Sequence, residues 1–377
     1  MRIMINASVL RVGGGVQVAD SVCRELYKYQ QHQFVVVLSL ALDSCADSIS
    51  HYCNIEVVRY TLPVMSLTTL TGRNKVLDGL VKNRNIDAVL TIFGPSRWIP
   101  KCVKISGFAR SQLVLPDSPF WQLLSLKQKA IYAMRRIVNR WQFKLSANTF
   151  FTENSFISVR LKKLFPKARI YTVTNNYNQV YDHPELWKKD IVLPSFSGLT
   201  LLTISANYLH KNLIIIRPTI KILNQLYPEL NYRFVLTMME EQFDDGLTDE
   251  ERKHIVFIGK TSIDQCPYLY KQSDIMFLPT LLECFSANYA EAMKMEVPIL
   301  TTDLDFAKSL CSDAAHYFSA ISPADLADKI YLLSQDVALR ENLKKRGKQR
   351  LLCFDTFEQR AEKLIRIVEN EYKSSQK

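Results

Sequence analysis

Short apolar, β-branched segments alternate with helical patterns along this chain, and that alternation restricts its fold more than any other feature. A first set of strand-like segments lies near residues 2–6, 34–40, 55–60, 88–93, 103–108, 149–152 and 170–173. A second set lies near 199–205, 233–237, 255–258, 275–279, 299–302 and 316–318, with helical patterns between, for instance at 16–29, 120–143, 212–227 and 324–333. Strands separated by helices predict parallel sheets with helices on both faces. The pattern breaks once, over residues 174–199, where Asn, Pro and Ser collect and periodicity fades. The expectation is therefore α/β: two doubly wound parallel-sheet domains, 1–175 and 199–355, joined by a linker at 176–198. A terminal helical stretch, 356–377, is expected to pack back on the first domain. Ligands of such sheets bind beyond the carboxyl ends of the strands, so the two domains are expected to face each other across a cleft.

Hydrophobic residues make up 47% of the 377 and charged residues 23%. There is thus enough apolar surface to offset the ordering entropy, which excludes disorder over most of the length. Cysteines stand at 23, 45, 53, 102, 266, 284, 311 and 353, with no C-x-x-C pair among them. That spacing suits neither a zinc site nor a disulfide scaffold, and it points to thiols in a reducing compartment. The opening MRIMINASVL lacks a signal-peptide core. The longest apolar stretch, 34–42, falls far short of the roughly 20 residues of a spanning helix. A cytoplasmic chain is expected.

The net charge of +11 is concentrated. Residues 127–169 hold Lys127, Lys129, Arg135, Arg136, Arg140, Lys144, Arg160, Lys162, Lys163, Lys167 and Arg169 against Glu153 alone. Such a block attracts an anionic surface. No nucleic-acid motif accompanies it, so the expected partner is the anionic leaflet of a membrane; a solvated helix face with no partner is the plainer alternative.

Two stretches have the residue types for ligand chemistry. Gly13, Gly14 and Gly15 lie between the first strand and the first helix. Glycines there let backbone approach a ligand, and a helix N-terminus favours anions. Gly13 and Gly15 fit the first two positions of the dinucleotide fingerprint, but Val18 occupies the third, and a tight turn alone also accounts for them. The second stretch, 282–299, reads LECFSANYAEAMKMEVPI. In it Ser286 can cap a following helix, Glu283 can hold sugar hydroxyls from the loop, and Glu291 can accept hydrogen bonds from a ribose diol. By spacing alone, both acids also suit solvated surface positions.

The run from Glu283 to Glu291, with Ala292-Met293 and Val297-Pro298 after it, resembles the E-x7-E signature of family 4 glycosyltransferases. These are retaining enzymes of the GT-B fold, which has two Rossmann-like domains and a linker. Further likeness lies in the glycine loop near 6–18, in Ala206-Asn207-Tyr208-Leu209-His210-Lys211-Asn212, and in Phe257-Ile258-Gly259-Lys260. It continues through Tyr270-Lys271-Gln272-Ser273-Asp274, Leu278-Pro279-Thr280, Asp313-Ala314-Ala315 and Pro323-Ala324-Asp325-Leu326, so the resemblance covers nearly the whole chain.

The resemblance implies that Glu283 contacts the transferred sugar and Lys211 neutralises the leaving diphosphate, the two acting as catalytic residues. Glu291 would bind the donor ribose, with Phe285, Ser286, Gly259, Gly14 and Gly15 completing the donor site. Arg110, after a first-domain strand, would meet an anionic acceptor. The implied donor is a UDP- or GDP-linked sugar, with no metal and no cofactor. The implied acceptor is a carbohydrate, a lipid-linked glycan of bacterial surface polysaccharide such as O-antigen or capsule, reached by a peripheral enzyme at the inner membrane face. Departures are Cys284 and Ser286 where glycines are common, and Ser205 and Ala206 where an Arg usually precedes the Lys. Arg217 or Lys260 is a candidate to replace that Arg. The rivals are a GT-B nucleotide-sugar epimerase and a non-catalytic sugar-nucleotide-binding partner.

Overall fold

The computed structural model describes residues 1–63, 71–244 and 246–377. It divides into two compact units. The first comprises residues 1–116, 124–175 and 355–377, and the second comprises 117–123 and 176–354.

The first unit is built on seven parallel strands: β1 (Arg2–Ala7), β2 (Gln33–Leu38), β3 (Ile55–Arg59), β4 (Ala88–Thr91), β5 (Val103–Gly107), β6 (Thr149–Thr152) and β7 (Arg169–Thr172). Their order is β3-β2-β1-β4-β5-β6-β7. Side chains alternate across the sheet. Ile3 and Ile5 enter one core with Val36, Leu38 and Leu90, whereas Met4 enters the other with Val35, Val37, Val89 and Trp98. The helix Phe357–Ser375 belongs to this unit, with Leu364, Ile365, Ile367 and Val368 completing the first core. Polar ties reinforce it: Glu371 accepts from the Thr149 hydroxyl at 2.7 Å and from the Tyr171 hydroxyl at 3.1 Å, and Arg360 donates to Ser21 at 2.6 Å.

The second unit has six parallel strands: β8 (Leu199–Thr203), β9 (Tyr232–Leu236), β10 (Ile255–Phe257), β11 (Ile275–Leu278), β12 (Ile299–Thr302) and β13 (Ala315–Phe318). They are ordered β10-β9-β8-β11-β12-β13. Fully buried β8, β9, β11 and β12 explain why these strands read as apolar runs rather than alternations.

Three segments differ from their sequence reading. Residues 176–198, expected as an interdomain linker, group with the second unit. Tyr181 buries against Tyr270, and the Trp187 indole donates to the Val180 carbonyl at 2.7 Å. The helix expected over 120–143 begins later, as Leu126–Ser146, because Ser125 and Gln128 form a capping box there. Residues 117–123 ahead of it join the second unit, where the Ser118 hydroxyl donates to the Leu281 carbonyl at 2.7 Å.

Candidate functional site

In the second sheet β8 and β11 are neighbours, but the chain winds from β8 toward β9 and from β11 toward β12. Connections leaving in opposite directions open a crevice at the carboxyl ends of this pair. The loop after β8 forms a 3-10 turn, Leu209–Lys211, ended by Asn212 at φ 53°. Asn tolerates that left-handed geometry better than most residues. The loop after β11 meets this turn directly. Leu281 N–H donates to the His210 carbonyl at 2.7 Å, and the Thr280 hydroxyl lies 3.2 Å from the same oxygen.

This junction brings Lys211 and Glu283 together. Lys211 Nζ donates to Glu283 Oε1 at 2.5 Å, with each side chain only 12% exposed. The Thr280 hydroxyl is also 3.0 Å from that carboxylate oxygen. A lysine sheltered in this way, aligned by one carboxylate, is a compact cation fixed at the strand ends. His210 makes local contacts, its ring stacked on Tyr208 at 5.7 Å. Burial pushes its imidazole below its ordinary value, outweighing the opposing pull of Glu283.

The helix Ala287–Lys294 follows. Ser286 takes the N-cap position, but its hydroxyl does not cap the helix as the sequence suggested; it donates to Asn288 Oδ1 at 3.1 Å. The Asn288 amide in turn donates to the Ile204 carbonyl at 3.0 Å and ties the helix start to the end of β8. The opening N–H groups of a helix lack intrahelical partners and favour anions. Phe285 packs edge-on against Phe354 at 5.6 Å, and Cys284 is buried.

Glu291 lies on the second turn of that helix and is 6% exposed. The Tyr270 hydroxyl donates to its Oε2 at 3.2 Å, and Tyr181 lies beside it. Burial raises its carboxyl to about 7, the tyrosine hydroxyls only partly opposing. Neither acid of the pair is a solvated surface residue. Gly259 bends the chain just past β10 at φ 74°, a conformation that suits glycine. Its N–H donates to the Met238 carbonyl at 3.1 Å.

Arg217 does not replace the missing arginine. Its guanidinium is spent on Glu251 at 2.8 Å, Asp244 at 2.5 Å and the Gly246 carbonyl at 2.8 Å. Lys260 is exposed. Gly14, Gly15 and Arg110 belong to the first unit: the helix Gly14–Cys23 opens after Gly13 at φ 78°, and Arg110 precedes the turn Ser111–Val114 without capping it through its side chain. Thr280, Asn288, Tyr270 and Tyr181 are contributors to which sequence reasoning gave no role. Thr280, Asn288 and Tyr270 had a signal in the runs that carry the resemblance, Leu278-Pro279-Thr280, Glu283 to Glu291 and Tyr270 to Asp274, whereas Tyr181 had none.

Among the described residues no cluster of His, Cys, Asp and Glu is arranged to hold a metal ion, and no helix is long and apolar enough to cross a membrane. All eight cysteines are free thiols.

Residues 225–350 match the family model described as glycosyl transferases group 1. The second unit carries a glycosyltransferase domain. No curated protein matches the sequence. Among solved structures, the chain is similar to sucrose-phosphate synthase from Thermosynechococcus elongatus, at 14% identity over 99% of both chains and a TM-score of 0.73. It is also similar to Anabaena Alr3699/HepE in complex with UDP and glucose, at 13% identity over 98% of this chain and 99% of that one, with a TM-score of 0.67. A third likeness is to WaaG, a glycosyltransferase involved in lipopolysaccharide biosynthesis, at 15% identity over 98% and 99% of the two chains, with a TM-score of 0.64. These likenesses give the glycosyltransferase domain its setting, the GT-B fold.

Proposed function

We propose that the chain is a retaining, family 4-type glycosyltransferase that moves a sugar from a UDP- or GDP-linked donor to a carbohydrate acceptor without a metal ion. The Lys211–Glu283 pair at the β8/β11 switch point carries this reading. When the donor bond breaks, charge accumulates on the leaving diphosphate. A preorganised ammonium and the open N–H groups after Ser286 are the kind of donors that stabilise such charge. Glu283 would then exchange its lysine for hydroxyls of the transferred sugar, and Glu291 would take the ribose. Retention follows if the acceptor attacks on the face the diphosphate leaves, with a leaving-group oxygen receiving its proton.

The test uses the full chain with a panel of nucleotide sugars. The correct donor should raise the melting temperature, because it binds only the folded state. Adding acceptor should then release nucleoside diphosphate and leave the anomeric configuration unchanged. Isomerised donor in the absence of acceptor would instead identify an epimerase, and binding without turnover a non-catalytic partner.

The acceptor we propose is a lipid-linked glycan of surface polysaccharide, met at the cytoplasmic face of a membrane. On the helix Leu126–Ser146, Leu126, Ala130, Met134, Ile137 and Trp141 recur at spacings of three and four on the exposed side. Leu126 is 86% exposed and Ile137 72%. Lys129, Arg136, Arg140 and Lys144 border that stripe. An apolar stripe edged by cations suits the headgroup boundary of an anionic bilayer. Vesicles containing phosphatidylglycerol should bind the protein, more weakly as salt rises, while phosphatidylcholine vesicles should not. Reversing Arg135, Arg136 and Arg140 to Glu should abolish sedimentation with the anionic vesicles, and unchanged sedimentation would remove the membrane from the proposal.

A further inference from the structure

Asn288 and Glu291 stand three residues apart on the helix Ala287–Lys294, so their side chains share one face of it. Tyr270, fully buried near the end of the helix Cys266–Lys271, reaches that face. Its hydroxyl oxygen lies 3.2 Å from Glu291 Oε2 and 3.4 Å from the Asn288 amide nitrogen. The same amide nitrogen is 3.0 Å from the Ile204 carbonyl, and Asn288 Oδ1 is 3.1 Å from the Ser286 hydroxyl.

The chemistry of these atoms decides which way each hydrogen bond runs. A carbonyl oxygen only accepts, so the side of Asn288 that faces Ile204 is its NH2. The two hydrogens of that group serve the Ile204 carbonyl and the Tyr270 oxygen. A phenol has one proton to give. With Asn288 donating to the phenol oxygen, that proton goes to Glu291, since the other acceptor in reach, the Asn288 backbone carbonyl, is farther away at 3.5 Å. The donors therefore run in one direction, from amide through phenol to carboxylate.

Burying these polar groups together costs free energy that Leu or Phe side chains at the same positions would avoid. Among the described residues it is hydroxyls, not a cation, that oppose the burial of Glu291: those of Tyr181 and Tyr270. The titratable groups around it are Tyr270 and Cys266 of the helix Cys266–Lys271 and Tyr181 of the segment 176–198, and burial raises all three, which keeps them neutral. Lys294, one turn further along the helix of Glu291, is engaged by Asp182 at 2.5 Å.

We propose that Asn288 and Tyr270 are positioning residues for the donor ribose: Asn288, anchored on the end of β8, aims the Tyr270 hydroxyl at Glu291 Oε2, and that bond holds the ionised carboxylate as the ribose diol meets it. This deepens the reading of Glu291 as the ribose ligand and rests on it. UDP and GDP are titrated calorimetrically into the full chain and into E291Q, Y270F, N288A and Y270F/N288A between pH 6 and pH 9. Reading each protein against E291Q at the same pH removes the nucleotide's own titration. Y270F should bind nucleotide about tenfold more weakly than wild type at pH 7, and the loss should narrow toward pH 9. The hydroxyl favours the ionised carboxyl, so removing it raises the pH at which affinity is gained. N288A should move that pH in the same direction, and in the double variant the two shifts should not add, because the residues act through one chain of bonds. Shifts that add, or losses of affinity equal at every pH, would overturn the proposal and leave both residues purely structural. Y270F, which removes a single oxygen, carries the test if N288A fails to fold. A wild-type chain that binds neither nucleotide, or E291Q binding as tightly as wild type, would instead remove Glu291 from the donor site and take the proposal with it.

Discussion

K211A will lower kcat by roughly 10²–10³-fold, the usual effect of removing one donor from a site where charge develops, while the chain stays folded. The ammonium is the side chain that β8 delivers to the switch point, and its 2.5 Å contact with Glu283 fixes its place before any substrate arrives. Removing it leaves the Glu283 carboxylate largely sheltered with Thr280 as its remaining bonded neighbour on that oxygen. Some stability is lost for that reason alone. The double variant K211A/E283A separates the two effects: it should recover the melting temperature without recovering kcat. K211R keeps a cation but replaces a compact ammonium by a planar fork, and should retain part of the rate. Wild-type kcat in K211A would remove the lysine from the chemistry.

E291Q will weaken donor binding by roughly 10- to 100-fold, the loss of charge-assisted hydrogen bonds to a diol, and will at the same time stabilise the free protein above neutral pH. The carboxyl is raised to about 7 from an ordinary value near 4.5. The folded state therefore binds this proton more tightly than the unfolded state. Stability from this group is full below about pH 4.5, declines as pH climbs to about 7 and is level beyond. The decline amounts to about 3 kcal/mol. Glutamine does not titrate, so the variant should match wild type near pH 4.5 and melt higher at pH 8. Since ribose hydroxyls need an ionised acceptor, wild-type donor affinity should tighten as pH rises through 7, and in E291Q it should not. A pH-independent melting difference between the two would show that Glu291 is not buried as a neutral acid.

The α/β alternation was legible because most strands of these sheets are short apolar runs between helices, and the strand segments read from sequence fall on β1–β13. The pairing of Lys211 with Glu283 was legible only through a motif; they are far apart in sequence, and nothing local says that the turn after β8 hydrogen-bonds to the loop after β11. The role expected of the Ser286 hydroxyl failed because Asn288 offers it a competing acceptor two residues on. Residues 176–198 look like a linker because Pro, Asn and Ser suppress periodicity, yet Tyr181 and Trp187 anchor them by aromatic burial that no pattern encodes. The helix Val337–Leu351 escaped notice for the opposite reason: it is charged nearly all round, with Leu343 and Gly347 its buried residues.

Residues 355–377, with the helix Phe357–Ser375, close a unit whose other residues come before 176, and this has a consequence for synthesis on the ribosome. Residues 1–175 emerge early, but the wall made by Leu364, Ile365 and Val368 arrives only after some 190 further residues have been added. Until then the side of the nascent sheet carrying Ile3, Ile5 and Leu90 has only the part of its cover that Val18, Val22, Ala46 and Ile49 supply, whereas 176–354 can condense as one nearly continuous stretch. The lobe translated first is thus the one finished last, and the interval is when a chaperone has most to hold.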